Sequence, residues 1–271
     1  MIQLGLIGYP LGHSLSPKIH TAALRACNLQ GDYSLFPIHP EDKQGLKDLL
    51  SRIRSGEIHG LNVTIPYKQN VIACLDELTP TAQAIGAVNT IYFRDGKLIG
   101  DNTDALGFLS DLDTFLGNRK SKIANRKSAI VLGAGGSARA VVYALLNDDW
   151  NVALAARRLE QVQQLADSFT NYTLPITDRA NLSTFDLIVN TTPLGMSPNI
   201  DRSPLPENAM LPPDGIVYDL VYNPRETKLV RDARAQGLNA TTGLGMLVEQ
   251  ASLAFQLWTG HNPPREVLFQ S

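Results

Sequence analysis

Residues 129–146 read AIVLGAGGSARAVVYALL: an apolar run breaks at four turn-forming residues and resumes with helical spacing. The pattern predicts a strand, a glycine turn and a helix. Gly133 permits the tight turn, Gly135 lets backbone come close to a pyrophosphate, and a helix beginning near Gly136 aims its free amides at an anion. The expected ligand is a dinucleotide. An NAD-preferring fold of this type places an acid about 20 positions on, to take the ribose hydroxyls. Here the next strand, Asn151 to Ala155, runs into Ala156, Arg157 and Arg158. Two guanidiniums at that place favour a ribose phosphate, hence NADP. Glycine-rich strand-to-helix turns also occur in doubly wound domains that bind other phosphates or nothing, and arginines after a strand can be plain solvated charge.

At 271 residues and 44% hydrophobic composition the chain can bury a large core, and two domains suit its length better than one. Its net charge of −2, with no run of five like charges, gives no footing for nucleic acid, so a small-molecule partner is expected. Cys27 and Cys74 are far apart and lack metal-ligand spacing near any histidine; neither a disulfide framework nor a metal site is expected. The opening MIQLGLIGYP has no basic region and meets Gly5, Gly8 and Pro10 too soon for a signal peptide, so it reads as a first strand. No apolar stretch approaches the ~18 residues of a membrane span, and a cytoplasmic protein is expected. The closing REVLFQS, 265–271, is given no part in the fold.

The first hundred residues alternate short strands and helices: a strand at Gln3 to Ile7, a helix after Ser16 and Pro17, a strand at Tyr33 to Pro37, a helix at Lys43 to Arg54, and a strand at Gly60 to Ile65 stopped by Pro66. Helical spacing follows at Lys68 to Leu78, then a hairpin from Ala87 to Phe93 and Lys97 to Ile99 around Asp95-Gly96. The second unit carries the glycine turn and strands at Asn151 to Ala155, Thr173 to Ile176, Phe185 to Asn190, Ile216 to Leu220 and Leu238 to Ala240, a parallel, doubly wound Rossmann-type pattern. The polar stretch Gly117 to Arg126 reads as a surface connection. Gly243 to Gly245 open a last helix, Met246 to Trp258, that returns to the first unit. The expected class is α/β with two domains: 1–104 completed by 243–271 for substrate, and 105–242 for NADP.

Within Asn62-Val-Thr-Ile-Pro-Tyr-Lys68 the period of two puts Asn62 and Thr64 on one face at a strand's carboxyl end, where open α/β sheets bind ligands. Lys68 follows at a helix start, where the positive end of the macrodipole disfavours a cation; a structural lysine there is unexpected but not costly. Gly100-Asp-Asn-Thr-Asp104 is denser in polar groups than a helix cap requires, though Asp, Asn and Thr are also ordinary capping residues. Ser14 and Ser16 lie in a loop suited to a carboxylate, with His13 read as a structural loop residue. Asn190-Thr-Thr-Pro-Leu-Gly-Met196 follows a buried strand and reads as a wall of the cofactor site, while Met196 and Met246 can equally be packing residues.

Eight strings in order, GYPLGHSLSPKIH at 8–20, NVTIPYK at 62–68, GAVNT at 86–90, GDNTDALGF at 100–108, GAGGSARA at 133–140, NTTPLGM at 190–196, DLVYNP at 219–224 and GLGMLVEQ at 243–250, resemble the shikimate dehydrogenase family over nearly the whole chain. The resemblance implies reduction of 3-dehydroshikimate to shikimate with NADPH on the route to aromatic amino acids. It implies that Ser14 and Ser16 hold the substrate carboxylate, that Asn62, Thr64, Asn89, Asp104 and Gln250 hold its hydroxyls and ring, and that Tyr222 lies near it. Lys68 and Asp104 would be the catalytic pair. Gly133, Ala134, Gly135, Gly136 and Ser137 would cradle the pyrophosphate, Arg157 and Arg158 would take the ribose phosphate, and Leu220 with Gly243 would line the nicotinamide side. The chain departs from the family pattern at Thr21, where Asn is usual, and at Ala156 and Gln161, beside the arginines.

The expected mechanism has the Lys68 ammonium hydrogen-bonding the developing alkoxide and supplying its proton while Asp104 orients it. Substrate and cofactor on separate domains suggest hinge closure, and a monomer or homodimer is expected. The rival readings are a quinate/shikimate dehydrogenase with relaxed substrate or NAD use, a methylene-tetrahydrofolate dehydrogenase, and a catalytically silent NADPH-binding regulator.

Overall fold

The computed structural model describes residues 1–12, 14–117, 127–169, 173–175, 181–207 and 209–271. His13, most of the Gly117 to Arg126 connection and Ile176 lie outside the described residues. By internal packing the chain divides into two compact units, 1–107 with 247–271, and 108–246.

The first unit is built on a mixed sheet, in spatial order β2 (Gly31–Pro37), β1 (Ile2–Gly8), β3 (Gly60–Val63), β5 (Thr90–Arg94), β6 (Lys97–Asp101) and β4 (Glu77–Leu78). Strand alternation sorts its two faces. Leu4 and Leu6 pack with Ile19, Leu24, Val248 and Phe255 on one side, and Ile7, Leu61, Val63 and Ile91 pack with Leu49, Leu50 and Ile53 of helix Lys43–Arg54 on the other.

Two expectations are corrected here, and one element is new. The spacing at Lys68 to Leu78 does not make one helix: a single turn, Tyr67–Asn70, runs into a 3₁₀ turn, Val71–Cys74, and Glu77–Leu78 is a strand paired with Ile99 and Gly100. Pairing with an open sheet edge outweighs the local periodicity, and Asp76 fixes it by accepting from the Leu98 amide at 2.7 Å. Helix Pro80–Ile85, not anticipated, has a full set of local signals: a Thr79 cap, Pro in the first turn and Gly86 with φ 67° at its end. The closing residues do belong to the fold. Helix Arg265–Phe269 buries Leu268, 2% exposed, in the core beside Ile19 and Phe255.

The second unit is a six-stranded all-parallel sheet in spatial order β12 (Asn239–Thr242), β11 (Ile216–Asp219), β10 (Leu187–Asn190), β7 (Ser128–Leu132), β8 (Asn151–Ala155) and β9 (Thr173–Pro175). This is the doubly wound order, and its reversal falls between β7 and β10, where ligands bind beyond the carboxyl ends of the strands. Ile130, Leu132, Ile188 and Val217 are wholly buried there, as central parallel strands require. Among the described residues no helix is long and apolar enough to cross a membrane.

Candidate active site

In the first unit, sheet direction gathers the polar residues at one edge. β1 and β3 are parallel and end there. Because β5 is antiparallel to both β3 and β6, Asn89, just before β5, and residues 102–104, just after β6, arrive at the same edge. Lys68 Nζ donates to Asp104 Oδ2 at 2.5 Å, with 12% and 5% of the two side chains exposed. Asp104 Oδ1 accepts from Asn89 Nδ2 at 2.9 Å. The helix carrying Lys68 has only one turn, too short for an appreciable macrodipole, so the Asp104 carboxylate rather than a helix terminus defines the lysine's electrostatic setting.

The crowding in Gly100-Asp-Asn-Thr-Asp104 resolves into separate tasks. Asn102 supplies the cap of helix Asp104–Leu116, its Oδ1 accepting from the amides of Asp104 and Ala105 at 3.0 and 3.4 Å. Asp101 accepts from Thr79 Oγ1 at 2.6 Å. Thr103 accepts from Asn89 Nδ2 at 2.9 Å and donates to the Gln250 carbonyl at 3.1 Å. Asp104 is thereby left to face Lys68.

Asn89 Nδ2 also approaches Gln250 Oε1 at 3.3 Å, and Asn62 Nδ2 donates to the Asn89 carbonyl at 3.3 Å. Asn62, Asn89, Lys68, Asp104 and Gln250 thus form one hydrogen-bonded chain. Thr64 follows β3 directly, its amide donating to the Ile7 carbonyl at 2.9 Å, so it sits beside the end of β1 from which the serine loop departs. Ser14 Oγ accepts from the Ser16 amide at 3.2 Å, at the start of helix Ser16–Ala26, where Pro17 has no N–H and the Ile19 amide donates to the Leu15 carbonyl at 3.1 Å. That helix end offers the Ser14 and Ser16 hydroxyls to an anion.

In the second unit, helix Gly136–Asn147 starts from Gly135, again without a side-chain cap. Gly133 has φ 120°, and a Cβ there would strike Thr191 Oγ1; a Cβ on Gly135 would meet nothing within 4 Å. A turn closed to side chains behind and open in front, at the start of a helix without a side-chain cap, fits a dinucleotide pyrophosphate. The Gly133 amide donates to the Ala155 carbonyl at 2.8 Å, which ties the turn to the strand end leading into Arg157 and Arg158. Both arginines are exposed and neither forms an ion pair among the described residues. Leu220 and Gly243 are brought together, the Leu220 carbonyl lying where a Cβ on residue 243 would be. Tyr222 is half-buried in the loop after β11.

A profile described as the shikimate dehydrogenase substrate binding domain matches residues 6–91, and one described as the shikimate 5'-dehydrogenase C-terminal domain matches residues 243–268. The chain is 40% identical to the NADP(+) shikimate dehydrogenase of Symbiobacterium thermophilum, covering 98% of this chain and 91% of that one. It is 41% identical to that of Salinibacter ruber, with 98% and 95% covered. The chain belongs to the shikimate dehydrogenase family. Among solved structures, the shikimate 5-dehydrogenase of Thermus thermophilus in complex with NADP(H) and shikimate superposes with a TM-score of 0.86 at 37% identity, covering 100% of this chain and 98% of that chain.

Within this shikimate dehydrogenase fold two polar residues escaped the sequence reading. Asp219, at the end of β11, is wholly buried and accepts from Asn190 Nδ2 at 2.8 Å, the Val221 amide at 3.1 Å and Thr227 Oγ1 at 2.6 Å. It joins the NTTPLGM loop to the loop carrying Leu220 and Tyr222. Burial pushes its pKa up to about 6 against these three donors. Tyr33 donates to Asn62 Oδ1 at 2.8 Å. A lone tyrosine in an edge strand carries no signal of a partner 29 residues away.

Proposed function

We propose that the chain catalyses the reversible NADPH-dependent reduction of 3-dehydroshikimate to shikimate, as a cytoplasmic monomer or homodimer without nucleic-acid or membrane partners. The observation that carries this is the Lys68–Asp104 pair at 2.5 Å, joined through Asn89 to Gln250 and Asn62. Gly133 to Ser137 would hold the pyrophosphate and Arg157 with Arg158 the ribose phosphate; the bound coenzyme supplies a hydride.

The Ser14 and Ser16 hydroxyls hold the substrate carboxylate. Lys68 holds its proton at Nζ, hydrogen-bonds the ketone oxygen, stabilises the negative charge that develops there and gives it the proton. Asp104 keeps the ammonium aimed, and stays fixed because Asn89 donates to its other oxygen. Lys68 is then reprotonated from solvent. Asn62, Thr64, Asn89 and Gln250 set the ring by its hydroxyls.

Steady-state kinetics with shikimate and with quinate, each with NADP+ and NAD+, test the reading. The expected result is a clear preference for shikimate with NADP+. Equal efficiency with NAD+ would remove the role given to the arginines, and absence of activity on shikimate would remove the assignment.

A further inference from the structure

Asn62 is 5% exposed, and the chemistry of its neighbours fixes which way its amide points. Nδ2 lies 3.3 Å from the Asn89 carbonyl, a group that can only accept, so the nitrogen must face it. Oδ1 therefore faces Tyr33, whose hydroxyl, 2.8 Å away, has to donate. Tyr33 reaches it from β2 across β1: it pairs with Leu4, while Leu6, two residues on, pairs with Asn62, so the side chains share a face. The phenol ring is itself held in place. His20 stacks on it at 4.5 Å with the planes 1° apart. Burial pushes the pKa of His20 down to about 3, so at neutral pH it is an uncharged aromatic plate.

We propose that Tyr33 is a positioning residue for substrate recognition: by donating to Asn62 Oδ1 it locks the amide so that an Nδ2 hydrogen is presented to one ring hydroxyl of the substrate. The proposal rests on the shikimate reading above. Tyr33 acts through Asn62. Without the phenol hydroxyl, Oδ1 loses the donor that holds it at 2.8 Å, and the amide is freer to turn away from the orientation that serves the substrate.

Tyr33→Phe keeps the ring and its stack and removes the hydroxyl that donates to Asn62. The wild-type enzyme is first assayed with shikimate and NADP+; no turnover there overturns the functional reading and this proposal with it. Given turnover, Tyr33→Phe is expected to raise KM for shikimate about tenfold, with kcat and KM for NADP+ changed by less than about twofold. With dissociation constants measured for shikimate and for the three analogues that each lack one ring hydroxyl, the increase should fall below about twofold for one of them, the analogue missing the hydroxyl that Asn62 meets. An unchanged KM, or the same increase for shikimate and all three analogues, overturns the positioning role and leaves the functional reading standing.

Discussion

Lys68 and Asp104, 36 residues apart in sequence, share a hydrogen bond of 2.5 Å at a site where both side chains are largely withdrawn from water. A partly buried ion pair carries a desolvation cost that a hydrophobic pair of similar volume avoids, so stability is a weak reason to place one there. Chemistry is a stronger one. Lys68→Ala is expected to lower kcat by about two orders of magnitude or more with little change in KM, the pattern for an interaction made chiefly in the transition state. Steady-state kinetics at saturating cofactor check it, and an unchanged kcat would take Lys68 out of the chemistry.

Arg157 and Arg158 stand just beyond the end of β8, exposed and without ion-pair partners among the described residues. Replacing both by alanine should cost little stability. It should lower kcat/KM for NADP+ by about a hundredfold, the scale of one or two charge-assisted hydrogen bonds, and leave the NAD+ reaction nearly unchanged. Parallel losses with both cofactors would show that the arginines act on something other than the ribose phosphate.

The glycine turn was legible because its signals are local: the switch from strand to helix spacing and the glycines all fall within 129–146. The hairpin at Asp95-Gly96 and the strand Asn151–Ala155 were legible for the same reason. What failed depends on distant partners. Lys68 to Leu78 has helical periodicity, but the strand Glu77–Leu78 exists because β6 offers an edge. Leu268 gains its meaning from Ile19 and Phe255, and Tyr33 from Asn62. Of the candidate site, Ser14, Ser16, Asn62, Thr64, Lys68 and the 100–104 cluster stood out by their placement, Asn89, Tyr222 and Gln250 came through resemblance, and the allocation of tasks among Asn102, Thr103 and Asp104 required the geometry.

Asp219 predicts a pH dependence of stability. Its folded pKa is raised from an ordinary 3.8 to about 6, chiefly by burial. The stability this contributes is fully present below the unfolded value and is lost as pH rises through the folded one. A displacement of about two pH units corresponds to on the order of 3 kcal/mol. Asp219→Asn keeps the shape without the titration. Denaturant unfolding of both proteins should show the stability difference, wild type minus variant, falling between about pH 4 and 6 and level above about 7. A difference constant with pH would mean that Asp219 titrates as an ordinary carboxyl.

The C-terminal helix gives a packing test. Leu268 is 2% exposed among Leu4, Ile19, Leu24 and Phe255. Leu268→Ala should destabilise the protein by roughly 2–5 kcal/mol, the usual cost of emptying such a site. Thermal or denaturant unfolding reads the loss, and a cost below about 0.5 kcal/mol would mean that helix Arg265–Phe269 is not part of the core.

Two glycines two residues apart should fail in different ways. At Gly133 the φ of 120° excludes an ordinary L-residue, and the added Cβ would run into Thr191, whose hydroxyl donates to the Leu132 carbonyl at 2.8 Å. Gly133→Ala should therefore lower the melting temperature, since strain of this kind costs on the order of 1–3 kcal/mol before any clash is counted. At Gly135 the backbone is extended, φ −88° and ψ −172°, and the new Cβ meets nothing. Gly135→Ala should fold like the wild type yet bind NADPH at least about tenfold more weakly, because the Cβ would take up the space through which a pyrophosphate approaches the backbone. Melting curves with fluorescence titrations of NADPH separate the two effects. A Gly135→Ala protein that binds NADPH normally would show that the coenzyme does not lie against this turn.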